Sequence, residues 1–130
     1  MKEQLKIYLA AQSHRLVDMG NAAYDADDDY SDFAKAVAER VVGDTESRGI
    51  LICGSGAGVA IAANKVRGIR AATIVDSRQA QMARSDEDIN ILALPADFID
   101  EQKAREIVDV FLGTPFSAEE RHIRRLKKIE

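Results

Sequence analysis

Residues 49–75 read GILICGSGAGVAIAANKVRGIRAATIV, and this stretch decides the fold. The run 49–53 is continuously apolar and of strand length, the pattern of a strand covered on both faces. It ends in Cys53, the chain's only cysteine, and Gly54, Gly56 and Gly58 follow at alternate positions. The next residues start a helix at 58–65, and RAATIV, residues 70–75, reads as another strand. Strand, glycine turn, helix and strand in that order predict a parallel sheet with its ligand-binding edge at the strands' carboxyl ends.

Working outward, residues 2–11 predict a helix with Leu5, Tyr8 and Leu9 at helical spacing, and HRLVDMG, 14–20, predicts a short strand. An acidic loop, 21–32, leads into a helix over 30–42 with Phe33, Val37 and Val41 on one side. Downstream, 77–84 predicts a helix capped by Asp76 or Ser77. INILAL, 89–94, is a strand stopped by Pro95, and 100–113 is a helix whose apolar side carries Ile107, Val108, Phe111 and Leu112. A last helix starts near Ser117, with Ile123, Leu126 and Ile129 along one face. The expectation is one α/β domain over residues 1–130, a Rossmann-like three-layer α/β/α sandwich with four visible strands in a mostly parallel sheet.

Composition narrows the function. Of the 130 residues 46% are hydrophobic, so a core is available, and a net charge of −4 argues against a nucleic-acid binder. No apolar run approaches the ~20 residues of a membrane helix. A lone thiol suits a reducing compartment, which predicts a cytoplasmic protein. Two histidines and one cysteine make no zinc set, and DADDDYSD fails the calcium-loop pattern at Tyr30 and Ala36. No metal and no cofactor are expected.

The glycine turn carries the chemistry. Glycines tolerate positive φ and let a ligand approach the backbone, and successive N–H groups before a helix N-terminus form a concavity for negative charge. A thiol at that position ionises more readily. The dinucleotide fingerprint fails at Val59, the P-loop lacks its Gly-Lys-Ser/Thr, and no nucleophile elbow is present. From spacing alone, a tight turn beside an inert cysteine stands level with a reactive site.

The segment 50–72, ILICGSGAGVAIAANKVRGIRAA, resembles the hallmark of the ribose-5-phosphate isomerase B and galactose-6-phosphate isomerase family. So do DYSDFAKAVAERV at 29–41, EIVDVFLGTPF at 106–116 and RHIRRL at 121–126. The resemblance implies aldose–ketose isomerisation of a small sugar phosphate, of the ribose 5-phosphate/ribulose 5-phosphate type, through an enediolate and without a cofactor. It implies Cys53 as the base, Ser55 at the reacting oxygens, and the backbone of Gly54, Gly56 and Gly58 as the enediolate cradle. Tyr30 would line the sugar site, and Arg121 with Arg125 would clamp the phosphate. Four residues apart, these arginines share a helix face. The resemblance also implies a homodimer, or a dimer of dimers, with sites shared between subunits. His122 is a weaker candidate for the site, with plain exposure as the alternative, and Asn64 is expected to make a structural hydrogen bond at a helix end.

Three departures qualify this. Asp86 and Glu87 occupy the positions of the family's ring-opening histidine and its neighbouring asparagine, a loss that an acyclic substrate such as a tetrose phosphate would tolerate. Asp97 stands where many relatives carry a phosphate-contacting arginine. The family's opening strand, with its Asp-His pair, has no match. Without it the sheet would leave backbone groups unpaired, so further chain ahead of Met1, or another segment in the gap, is expected. The alternative function is an impaired relative that binds a phosphorylated ligand or assembles with an active paralogue.

Overall fold

The computed structural model describes residues 1–130. Helix α1 (Lys2–Ala11) is followed by α2 (Tyr30–Gly43), β1 (Gly49–Cys53), α3 (Ala57–Asn64), β2 (Ala71–Thr73), α4 (Ser77–Glu87), β3 (Ile91–Pro95), α5 (Glu101–Gly113) and α6 (Glu120–Ile129). The sheet is three-stranded and parallel in the order β1-β3-β2, with Cys53 level with Pro95 and Thr73 level with Ala93.

β3 lies in the middle, and all of its residues are buried. Its side chains alternate between faces. Leu92 and Leu94 join Ile74, Ile107, Val108 and Phe111 in a core under α1, α4 and α5. Ile91 and Ala93 join Leu51, Val59, Ala38 and Val41 under α2 and α3. These are the three α/β/α layers that the alternation of strand and helix predicts, and the fold is Rossmann-like. With no tryptophan, Phe111 is the largest fully buried side chain, and its burial stabilises by roughly 2–3 kcal/mol.

Local signals place the ends of the helices. Asp76, not Ser77, caps α4 by accepting the N–H of Gln79 at 2.8 Å, and Asp100 caps α5 through Lys103 N–H at 2.8 Å. Asn64 closes α3 onto β2: its Nδ2 donates to Ala71 O at 2.8 Å and its Oδ1 accepts the Ala71 N–H at 2.7 Å.

The strand expected at 14–20 is absent. Residues 14–19 have no regular structure, and the backbone N–H groups of 15–19 donate to no acceptor in the chain. The reason is the lack of a neighbour. β1 pairs only with β3, through Gly49 and Cys53 (Gly49 N–H to Asn90 O at 2.9 Å, Ala96 N–H to Cys53 O at 2.9 Å), so by alternation the polar groups of Ile50 and Ile52 face the open edge. No other segment of the chain fills this gap. It is a groove of about 760 Å³ between β1, α1 and residues 14–20. Phe33 and Val37 face it, which is why α2 buries Ala34, Ala38 and Val41 instead.

Asp18 tethers the extended segment to α1. Its carboxylate accepts from Lys6 Nζ at 2.7 Å, Gly20 N–H at 2.9 Å and Lys2 Nζ at 3.3 Å. The Lys6 contact, then the Gly20 N–H, hold its pKa well below the usual carboxylate range. A depressed carboxyl pKa contributes stability above the unfolded value near ~3.9 and loses it as pH falls toward the folded value. Acidification below about pH 4 therefore loosens residues 14–20 before the two cores melt. Asp18→Asn should do the same at neutral pH. Limited proteolysis should then cut the variant faster within 14–20 than the parent chain; equal cutting rates would remove the tether from the account.

Candidate active site

β1 ends at Cys53, and the chain turns at once into α3. Gly56 makes that turn at φ +74°, where an L side chain is strained, and a Cβ there would also meet Thr73 Cγ2 at 2.7 Å. Among the turn glycines only Gly56 uses positive φ; Gly54 and Gly58 do not. Close approach explains the other two. A Cβ on Gly54 would stand 2.7 Å from Oδ2 of Asp97, and one on Gly58 would stand 2.7 Å from the Tyr30 ring.

Cys53 is half-buried at the carboxyl end of β1, and its Sγ accepts the Gly56 N–H at 3.1 Å. That contact keeps the sulfur in the turn. Ser55 is exposed, and its Oγ accepts the Ala57 N–H at 3.3 Å, leaving its own proton free to donate. The N–H groups of Gly54, Ser55, Gly58 and Val59 donate to no acceptor in the chain. The thiol thus stands beside a set of unpartnered donors at a helix N-terminus, an arrangement suited to an anion.

Tyr30 begins α2, 56% exposed, and its ring lies over Gly58. Thr73, at the end of β2, touches Gly56 and was not anticipated. Its place at a strand's carboxyl end was the available signal. No group of three or more His, Cys, Asp or Glu side chains converges to hold a metal ion, and no helix is long and apolar enough to cross a membrane.

Arg121 and Arg125 are exposed on α6, which packs on α4; Arg121 Nε donates to Glu119 Oε2 at 2.8 Å. Neither guanidinium makes a hydrogen bond or an ion pair with a residue of the glycine turn. His122 is buried rather than exposed. It and Leu126, one turn apart, form the inner face of α6, which leaves Ile123 36% and Ile129 66% exposed. Its Nδ1 lies 2.7 Å from Ser117 Oγ, and its Nε2 lies 3.8 Å from Asp86 Oδ1. Asp86 also accepts from Ser85 Oγ at 2.8 Å, so its carboxylate is engaged with its own neighbourhood.

The family model described as Ribose/Galactose Isomerase matches residues 1–129. The chain belongs to this family. A probable ribose-5-phosphate isomerase B of Mycoplasma genitalium is 41% identical over 130 residues, covering 99% of this chain and 85% of the relative. The ribose-5-phosphate isomerase B of Mycolicibacterium paratuberculosis is 40% identical over 126 residues, 97% of this chain and 79% of its own. Among solved structures, that of ribose-5-phosphate isomerase B from Mycoplasma genitalium with bound ribulose-5-phosphate superposes with a TM-score of 0.93 at 41% identity, covering 98% of this chain and 84% of that one. The Thermotoga maritima ribose 5-phosphate isomerase gives a TM-score of 0.93 at 43% identity, with 98% and 87% covered. In this member of the Ribose/Galactose Isomerase family, Asp97 lies against Gly54 of the turn.

Proposed function

We propose that this chain interconverts the aldose and ketose forms of a small sugar phosphate, of the ribose 5-phosphate/ribulose 5-phosphate type. The observation that carries the reading is Cys53, held by Gly56 N–H beside the unpartnered N–H groups of Gly54, Ser55, Gly58 and Val59. Membership of the family and the bound ribulose-5-phosphate of the Mycoplasma genitalium protein support it.

In this reading the Cys53 thiolate takes the proton from C2 of the open-chain aldose. Electrons move into the C1–C2 bond and onto O1, giving an enediolate held by the free N–H groups. The thiol returns its proton to C1, and the O2 hydroxyl proton passes to O1 by way of Ser55. The product is an isomer of the substrate; nothing is oxidised or reduced overall, and no cofactor takes part. Tyr30 closes the sugar side over Gly58. Arg121 and Arg125, exposed on α6 and without a hydrogen bond or ion pair to the glycine turn, serve the phosphate of a site in a second subunit.

A second reading, a relative that binds a phosphorylated ligand without turnover, is favoured by the carboxylates at Asp86 and Asp97. Measuring ketose formation from ribose 5-phosphate, and aldose formation from erythrulose 4-phosphate, separates the two. Turnover of either supports isomerisation, and the faster substrate tells whether the site opens a ring. Binding with no turnover of any pentose or tetrose phosphate would establish the second reading.

A further inference from the structure

Asp97 follows the end of β3, and two backbone bonds fasten its loop to the catalytic turn: Ala96 N–H to Cys53 O at 2.9 Å and Asp97 N–H to Gly54 O at 3.0 Å. They hold the loop so that the carboxylate lies against Gly54, with Oδ2 2.7 Å from the place a Cβ would occupy. The side chain is exposed, and no lysine, arginine or histidine pairs with it. The turn therefore carries free donors, from Gly54, Ser55, Gly58 and Val59, and at Gly54 also one unpaired acceptor.

This division of polarity sorts ligands. A carboxylate accepts O–H donors strongly, and its two oxygens can serve neighbouring hydroxyls. The same charge at contact distance repels a phosphate or carboxylate. The geometry points to Asp97 as a specificity-determining residue. It receives the hydroxyls on the non-reacting carbons of the sugar and keeps a second phosphate or a carboxylate of the ligand out of the space beside its own oxygens. The ligand class is then a polyol monophosphate whose phosphate lies away from Gly54; bisphosphates and sugar acids are rejected. This inference rests on the sugar-phosphate reading above and adds the substrate's orientation and its excluded analogues.

The test uses Asp97→Asn, which keeps the shape and removes the charge, with Asp97→Ser as a second variant should the first fail to fold. The probes are ribitol 5-phosphate and ribitol 1,5-bisphosphate, titrated by calorimetry, with ribose 5-phosphate kinetics alongside. Loss of a charge-assisted bond should weaken ribitol 5-phosphate binding roughly tenfold, while the bisphosphate gains relative to it. In turnover, KM should rise with kcat changed by no more than a few-fold, since Asp97 touches no reacting atom. Equal affinities of variant and parent for both probes would overturn the assignment, as would failure of the parent to prefer the monophosphate. Should the parent bind ribitol 5-phosphate but turn over no sugar phosphate, a tenfold loss in the variant would still uphold Asp97 while the isomerase reading fell.

Discussion

Cys53→Ala should retain the fold and bind ribose 5-phosphate, yet lose kcat by about 10²–10⁴-fold, the usual contribution of a positioned acid–base group. The sulfur is half-buried at a strand end and accepts one N–H, from Gly56. Removing it opens a small space at the turn and leaves both cores intact. The donors that would hold the sugar oxygens remain, so KM should move little. Cys53→Ser is the more searching variant. It keeps an acceptor for Gly56 N–H but replaces the thiol with a far weaker acid, so it should fall almost as far in kcat as alanine. Steady-state turnover together with a binding titration reads both. A Cys53→Ala enzyme within tenfold of the parent would exclude the thiol as the base and would move attention to Ser55, the hydroxyl at the turn.

The sheet order and the site were not equally legible in the sequence. GILIC and INILAL are largely apolar runs, and that composition identified both strands, β3 in the middle and buried throughout, β1 at the edge and buried in part. HRLVDMG carries a similar signal and is not a strand. A strand is defined by its neighbour, and residues 14–20 have an open groove where a partner would lie. Hydrophobic pattern records what a segment prefers to bury; it holds no information on whether a hydrogen-bonding edge is present. At the turn, glycine spacing revealed that backbone approach mattered but not why. Gly56 is needed for its φ, whereas Gly54 and Gly58 make room for Asp97 and Tyr30. Those contacts join residues far apart in the chain, so no local spacing encodes them. His122 shows the reverse error. A histidine amid arginines reads as surface, yet its four-residue offset from Leu126 places it on the inner face of α6.

Mixing two inactive variants should restore activity if the site is built from two subunits. Arg121 and Arg125 are exposed on α6, against α4, and neither makes a polar contact with the turn that holds Cys53. Two guanidinium groups one helical turn apart suit a phosphate but need it delivered from elsewhere. In a symmetric dimer each chain can lend its α6 to the other's thiol. The double variant Arg121→Ala/Arg125→Ala should then lose phosphate affinity, with KM rising by ~10²-fold or more for the loss of two charge-assisted contacts. Combined with Cys53→Ala at equal amounts, after unfolding and refolding together, random pairing makes half of the dimers mixed. Each mixed dimer has one site with both defects and one with neither, so activity should recover to about a quarter of the parent's. Were each site contained within one chain, every site in the mixture would carry one defect, and refolding would restore nothing. The recovered fraction therefore reports which subunit supplies the arginines, independently of how strongly either variant alone is impaired.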